Sequence, residues 1–319
     1  MTNKKTLLSP QFSSFHEFHS RVEDMEFWWP YVVRVLEKNN IDISEHQPIA
    51  GTGGSYPAFI YGDVVVKIFG YTPSWEKNFE LERSAQSAIS KHSDIKVPRF
   101  IGGGALLDDP NEPWRYLLTS KMAGDPICKV SLTHEEWQTL ASDLGREFKR
   151  IHEIRPSGIA TPKDWIGIKV TEAARHSSLP VHLIEQIDDY LKKIETPSLD
   201  FVHGDITWSH VFVKEKRLSG IIDWGDAMMI DRHYEIGKLH LDLFECDKRL
   251  LRAFLKSSEW KITNDFEHKA MALSLYRQAY GLMQHNMRGD MFYKLPRLIA
   301  LNEIQTLEEL AFRLFNPHE

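Results

Sequence analysis

The reading of this chain starts at residues 201–227, FVHGDITWSHVFVKEKRLSGIIDWGDA. An apolar pair, Phe201 and Val202, runs into a turn at His203-Gly204-Asp205. The run Val211-Phe212-Val213 follows. A charged turn over residues 214–217 leads to a second apolar run over 218–222, which ends at Asp223. Two short strand-like runs around a polar turn predict a β-hairpin. With Val213 facing Leu218, His210 falls near Ile221, and Asp223 emerges just beyond His210. Asp205 lies on the loop that feeds the first strand at the same end. Three polar groups therefore converge on the open end of one hairpin.

That arrangement suits phosphoryl transfer. The reaction needs a carboxylate that orients an attacking hydroxyl and takes its proton. It also needs ligands that hold a divalent metal on nucleotide phosphates. Asp205 is the candidate base and Asp223 the candidate metal carboxylate. Either half alone is a short motif that an ordinary turn could supply. The two at hairpin spacing carry the functional reading.

This stretch resembles the aminoglycoside phosphotransferase superfamily, whose fold is similar to that of protein kinases. In that family an H-G-D-x4-N segment supplies the base and a metal-binding amide, and a following I-D segment supplies a second metal ligand. The resemblance implies Asp205 as base, with His210 and Asp223 as metal ligands. Here His210 stands where the family has Asn. Mg²⁺ prefers oxygen ligands, whereas imidazole suits softer divalent ions. His210 either binds the metal through nitrogen, acts through a water, or does neither.

The bulk numbers set limits. The chain has 319 residues, 42% hydrophobic and 26% charged, with a net charge of −6. That length allows two lobes. The charge gives no basic footprint for nucleic acid. Cys128 and Cys246 are the two cysteines, so no disulfide framework is implied. The N-terminal residues lack the apolar core of a signal peptide, and no apolar run approaches membrane-spanning length. A cytoplasmic location, with no membrane or nucleic-acid partner, is expected. The oligomeric state stays open.

Upstream, residues 14–38 read as helical, with Phe15, Phe18, Val22, Met25 and Trp29 at helical spacing and Pro30 as a potential break. The aromatic cluster at residues 27–31 reads as core. Residues 49–69 read as strand, turn, strand, preceded by Gly51, Gly53, Gly54 and Ser55. A glycine-rich loop can bring backbone N–H groups to phosphates, though glycines equally serve as turns. Lys67 is a lone cation in the apolar run Val64-Val65-Val66-Lys67-Ile68-Phe69, and needs an anionic partner. Val65-Val66-Lys67 resembles the kinase lysine that meets nucleotide phosphates and pairs with a helix glutamate. On the helix expected over 76–91, Glu82 best matches the family register, and Glu80 is the alternative. The resemblance also places a hinge at Ser120 and Met122, where backbone groups meet the purine of ATP or GTP.

Beyond the hinge, residues 135–152 form an amphipathic helical pattern that ends at a structural His152. A looser stretch, 155–180, contains Pro162, Trp165 and Gly167. Helices are expected over 183–194, 267–288 and 296–315. After the hairpin, Asp226 and Asp231 read as loop-holding groups, and Asp226 is also a candidate for acceptor binding. Asp242 and Glu245, three apart, are expected to share a helix face. There they would either bind a polycationic sugar or face solvent. Arg277, His285 and Arg288 have no assigned task.

The resemblance extends over about residues 26–267, through Glu26-Phe27-Trp28, Lys67-Ile68-Phe69-Gly70, Leu239-His240-Leu241 and Glu259-Trp260-Lys261. Within the superfamily it is nearest to the members that phosphorylate the 7''-hydroxyl of hygromycin B. It implies an α+β, bilobal, protein-kinase-like fold. A small mixed lobe at 1–121 binds ATP (or GTP), and a mainly helical lobe at 122–319 binds Mg²⁺ (or Mn²⁺) and a cationic aminocyclitol acceptor. A kinase of a metabolic alcohol or sugar, and a catalytically impaired nucleotide-binding module, are the alternatives.

Overall fold

The computed structural model describes residues 7–43, 46–51, 53–108, 113–159, 161, 168–194, 198–285 and 290–318, without the side chains of 281–285. The chain forms two compact units. One comprises Met1–Ser93 and Val97–Met122, the other Asp94–Lys96 and Ala123–Glu319. The first unit thus ends one residue beyond the expected 121. Residues 94–96 belong with the second unit because Lys96 is held there: Ile221 N donates to Lys96 O at 2.9 Å, and Lys96 Nζ donates to Leu218 O at 2.8 Å.

The first unit is built on a five-stranded antiparallel sheet. Its strands are β1 (Ile49–Ala50), β2 (Ala58–Tyr61), β3 (Val64–Phe69), β4 (Phe100–Ala105) and β5 (Arg115–Ser120), in the order β1-β2-β3-β5-β4. The expected helix over 14–38 is two helices, α1 (Phe15–Ser20) and α2 (Met25–Lys38). The break falls at residues 21–24 and not at Pro30. Asp24 caps α2 by accepting from Phe27 N at 3.0 Å. Trp28, Tyr31, Val32 and Val35 are buried along α2, and that burial outweighs the hydrogen bond missing at Pro30. They pack with Phe59, Val66, Ile68, Trp114 and Leu118 of the sheet side into one core. The aromatic cluster is therefore packing, as read from sequence. Helix α3 (Trp75–Ile89) turns Phe79, Glu82, Ala85, Gln86 and Ile89 inward.

The second unit is mainly helical. Strand β6 (Asp125–Pro126) leads to α4 (His134–Glu153), which opens with a full capping box between Thr133 and Glu136. Helix α5 (Val170–Ala174) follows within the looser stretch; Pro162, Trp165 and Gly167 lie outside the described residues. The helix expected over 183–194 is two short pieces, α6 (Val181–Ile184) and α7 (Ile187–Leu191). Between them the Gln186 amide is engaged by Gln305 O and Leu307 N.

Strand β7 (Asp200–Val202) pairs with β10 (Met228–Ile230), and β8 (Val211–Lys214) with β9 (Arg217–Ile221) and β6. Helices α8 (His233–Lys238), α9 (Lys248–Ser257), α10 (Phe266–His285), α11 (Leu295–Leu298) and α12 (Leu307–Phe315) complete the unit. The pattern expected over 296–315 is broken, because Thr306 caps α12 afresh from Glu309 N at 3.0 Å. His285 and Arg288 lie outside the described side chains. No helix among the described residues is long and apolar enough to cross a membrane.

Helices α4 and α9 meet at Gly145. A Cβ there would lie 2.3 Å from Phe254 O and 3.0 Å from Ser257 Cβ. Backbone cannot yield as a side-chain tip can, so a single methyl forces the helices apart. Gly145→Ala is expected to cost about 1–3 kcal/mol, the usual penalty for overpacking a core. Denaturant unfolding checks this; an unchanged midpoint would show that the contact is soft.

Candidate active site

The hairpin places the central residues. Val213 faces Leu218 as expected, but His210 sits opposite Ile222, whose N–H donates to His210 O at 3.0 Å. The one-residue offset comes from a bulge after Phe212, which leaves Ser219 unpaired. The turn is two residues, Glu215 and Lys216, with φ of 51° and 63°, and not the four-residue turn expected. Two successive positive φ values match the twist of a tight hairpin.

His203-Gly204-Asp205 leaves β7 inside the protein, so each of its polar groups needs a partner. His203 is fully buried. Its Nε2 donates to Ile222 O at 2.9 Å, and its Nδ1 accepts from Asp205 N at 3.2 Å. Both bonds require neutral imidazole, and burial pushes its pKa down to about 4. The His203 ring thus ties the loop of Asp205 to the end of the hairpin. Gly204 has φ 82°, and a Cβ there would lie 2.6 Å from Asp226 O. Glu235, on α8 and fully buried, accepts from His203 N at 2.8 Å and Gly204 N at 3.3 Å. From the opposite side Arg277 on α10 donates to Gly204 O at 2.8 Å and to Asp205 Oδ1 at 3.0 Å.

Asp205 also lies 3.3 Å from Lys238 Nζ. Burial would raise its pKa, but Lys238 and then Arg277 outweigh burial and hold the carboxyl well below its usual range. It is therefore ionised throughout the neutral range. His210 stands between the two candidate carboxylates. Its Nδ1–H donates to Asp205 O at 2.7 Å, and its Nε2 lies 3.5 Å from Asp223 Oδ2. That hydrogen bond places a proton on Nδ1 and turns Nε2 toward Asp223. Asp223 itself has φ 65°, an uncommon left-handed conformation for a residue with a side chain. The structure thus brings Asp205, His210 and Asp223 together.

The donor set bears on the metal. Among the described residues no group of three or more His, Cys, Asp or Glu side chains is arranged to hold a metal ion. Mg²⁺ does not require one, because it commonly binds through one or two carboxylates, substrate phosphates and water. An imidazole that gives its other ring N–H to a carbonyl is the usual form of a histidine ligand. Asp223 and the Nε2 of His210 therefore fit a divalent ion, with nitrogen favouring a softer ion than Mg²⁺.

In the first unit, Lys67 Nζ lies 2.7 and 2.9 Å from the two carboxylate oxygens of Glu82. Glu80 instead pairs with Arg83 at 2.6 Å. Gly53 N donates to Glu23 Oε1 at 2.9 Å, and Gly51 N to Ala58 O at 2.7 Å. Gly54 and Ser55 are exposed in the same loop. Ser120 ends β5, with its N–H donating to Arg99 O at 2.9 Å and its Oγ accepting from Arg99 N at 2.8 Å. Met122 closes the unit and is half-buried.

The acidic candidates divide. Asp231 accepts from His233 N and Nδ1 at 3.0 and 2.6 Å, which makes it a loop-holding group as read from sequence. Asp226 is 3.9 Å from Arg277. Asp242 and Glu245 do not share a helix face. Asp242 lies in a π-helical turn, Leu239–Leu243, while Glu245 follows it with φ 49°. The extra residue of a π turn breaks the three-residue spacing assumed for an α-helix. Both carboxylates meet Lys294, at 3.0 and 3.1 Å, so an internal cation already neutralises the pair. His152 is buried against the rings of Phe148 and Trp260, and burial pushes its pKa down to about 3.

Glu235, Lys238 and Arg277 were given no task by sequence. A signal existed: Arg277 is a lone charge in the apolar run MALSLYRQAYGLM, the same feature that singled out Lys67.

A sheet-rich unit with a lysine–glutamate pair, followed by a helical unit with this carboxylate hairpin, defines a kinase-like phosphotransferase. Residues 30–273 match the model of the phosphotransferase enzyme family (APH), and the chain belongs to that family. The fold is similar to solved structures. One is a GDP complex of aminoglycoside 2'-phosphotransferase-IIIa, at 20% identity and TM-score 0.60 over 86% of this chain and 97% of that one. Another is ADP-bound aminoglycoside phosphotransferase APH(2'')-Ib, at 17% identity and TM-score 0.58 over 89% and 98%. A third is spectinomycin phosphotransferase with ADP and spectinomycin, at 15% identity and TM-score 0.55 over 89% and 97%.

Glu235 supplies a measurable consequence. Burial pushes its pKa from an ordinary 4.5 up to about 8, although the amides of His203 and Gly204 and the Arg277 charge favour the ionised form. A raised carboxyl pKa means that the folded state binds the extra proton between those two values. Its contribution to stability is therefore full below 4.5 and is lost as pH rises through 8. Glu235→Gln carries no such proton. The variant is expected to gain stability relative to wild type as pH rises from 5 to 8, read from paired denaturation curves. A difference that stays constant with pH would place Glu235 in its ionised form throughout.

Proposed function

We propose that this phosphotransferase moves the γ-phosphate of ATP or GTP to a hydroxyl of a small cationic acceptor, an aminoglycoside, with hygromycin B the first candidate. The observation that carries the reading is the convergence of Asp205, His210 and Asp223, tied by part-buried bonds through His203, His210 and Arg277. Asp205 orients the acceptor hydroxyl and takes its proton. Its low pKa suits a loose transfer, in which the proton leaves late and orientation matters more than basicity. Asp223 and His210 hold a divalent ion, Mg²⁺ or Mn²⁺, which would neutralise charge on the phosphates.

Lys67, fixed by Glu82, and the loop of Gly51, Gly53, Gly54 and Ser55 hold the phosphates, and the backbone around Ser120 and Met122 receives the purine. The solved relatives support both substrates by class: their complexes hold GDP, ADP or ATP, and kanamycin, streptomycin or spectinomycin. The choice of hygromycin B rests on the sequence resemblance outlined above. Asp226 is retained as a candidate acceptor contact. For Asp242 and Glu245 that role would require an acceptor ammonium to replace Lys294. In this reading the enzyme works in the cytoplasm and confers antibiotic resistance.

The test is nucleotide consumption with Mg²⁺ or Mn²⁺ across a panel of hygromycin B, kanamycin, streptomycin, spectinomycin and simple amino alcohols. Mass spectrometry of the acceptor identifies the product. Asp205→Asn is expected to lower turnover about 100- to 10,000-fold, the range for losing a positioned acid–base group, with nucleotide affinity preserved. Full activity in that variant removes Asp205 from the mechanism. Nucleotide binding by wild type with no phosphorylated acceptor would favour a binding module instead.

A further inference from the structure

Asp205 Oδ1 receives two cations that are held in different ways. The Arg277 guanidinium is 7% exposed and also donates to Gly204 O, so it is locked to the loop. Lys238 is 20% exposed and lies between two carboxylates, 3.3 Å from Asp205 Oδ1 and 3.6 Å from Asp242 Oδ2. Arg277 alone already anchors the carboxylate. A second cation on the same oxygen therefore calls for another explanation.

The position supplies one. An acceptor hydroxyl bound by Asp205 must stand about 3–3.5 Å from the phosphorus it attacks. An ammonium 3.3 Å from the same carboxylate oxygen is then within reach of the transferring group. A lysine ammonium is a compact point charge on a flexible stem, with three donors and no acceptor, and can exchange one anionic partner for another. Asp242 keeps it in place during that exchange. The Asp242 backbone is fixed by Trp208 Nε1 at 3.1 Å, and its other oxygen, Oδ1, is held by Lys294 at 3.0 Å.

We propose that Lys238 is a catalytic residue of the phosphoryl transfer. It leaves Asp205 as the acceptor hydroxyl arrives and binds the transferring phosphoryl oxygens, while Asp242 retains it at the reaction centre. The proposal rests on the phosphotransferase reading with Asp205 orienting the acceptor. In the step, a bond forms between the acceptor oxygen and phosphorus, and the bond to the leaving nucleoside diphosphate breaks. The hydroxyl proton passes to Asp205 and then to solvent. Lys238 keeps its proton and contributes charge, which counts most where water is excluded.

The test compares wild type with Lys238→Gln, Lys238→Arg and Asp242→Asn. Gln keeps hydrogen-bond donors without the charge, on a side chain one atom shorter, so a hydrogen-bonding structural role would largely survive it. Lys238→Gln is expected to lower kcat about 100- to 1,000-fold, as for loss of one electrostatic donor in a transition state. Nucleotide Kd, by calorimetry, and the thermal midpoint should stay near wild type. Lys238→Arg should recover much of the loss, and Asp242→Asn should lower kcat without weakening nucleotide binding. A Lys238→Gln enzyme with near-normal kcat overturns the proposal, as does one that loses fold and turnover together while Lys238→Met is stable and active. Wild type that transfers phosphate to none of the acceptors overturns the parent reading, and this proposal with it.

Discussion

A polar loop with its amides turned into the protein interior is the constraint on which the second unit depends. Backbone N–H groups away from water need acceptors. For His203 and Gly204 the acceptor is one carboxylate, Glu235, itself fully buried. Burying that carboxylate is costly, and the cost appears as its raised pKa. Arg277 answers from the opposite side by taking Gly204 O and Asp205. Helices α8 and α10 must therefore lie where Glu235 and Arg277 can grip the loop. The packing of Val202, Met228, Ile230, Tyr234 and Leu273 sets them there.

From that clamp an alternating line of charge runs outward: Arg277, Asp205, Lys238, Asp242, Lys294 and Glu245. Each member faces at least one of opposite sign, and several are largely shielded from water. In such surroundings the interactions are stronger than on the surface. The line explains why Asp205 stays ionised. It also means that the acidic residues near the centre are not a free negative patch. A cationic acceptor would compete with lysines already in place.

The first unit is governed by a different balance. Its sheet and α2 share a core of large aromatic and branched side chains, and an ion pair, Lys67–Glu82, is set into the apolar surroundings of β3 and α3. A buried pair contributes little net stability, yet leaving either partner alone is costly. Such a pair holds the lysine in one place.

Features decided within a few residues could be read directly from the chain. Lys67 stands alone in an apolar strand, and the two runs around residues 214–217 form a hairpin that brings Asp205, His210 and Asp223 to one end. Pattern and turn chemistry act at that range, so fold class and central carboxylates were legible. The bulge at Phe212, the split at residues 21–24 and the π turn at Asp242 were not, because each answers to packing from elsewhere. The partners of the loop lie farther still: Glu235 is 32 residues from His203, and Arg277 is 72 from Asp205. No local periodicity links such positions. Only the three-dimensional requirement that every buried charge and amide find its complement brings them together.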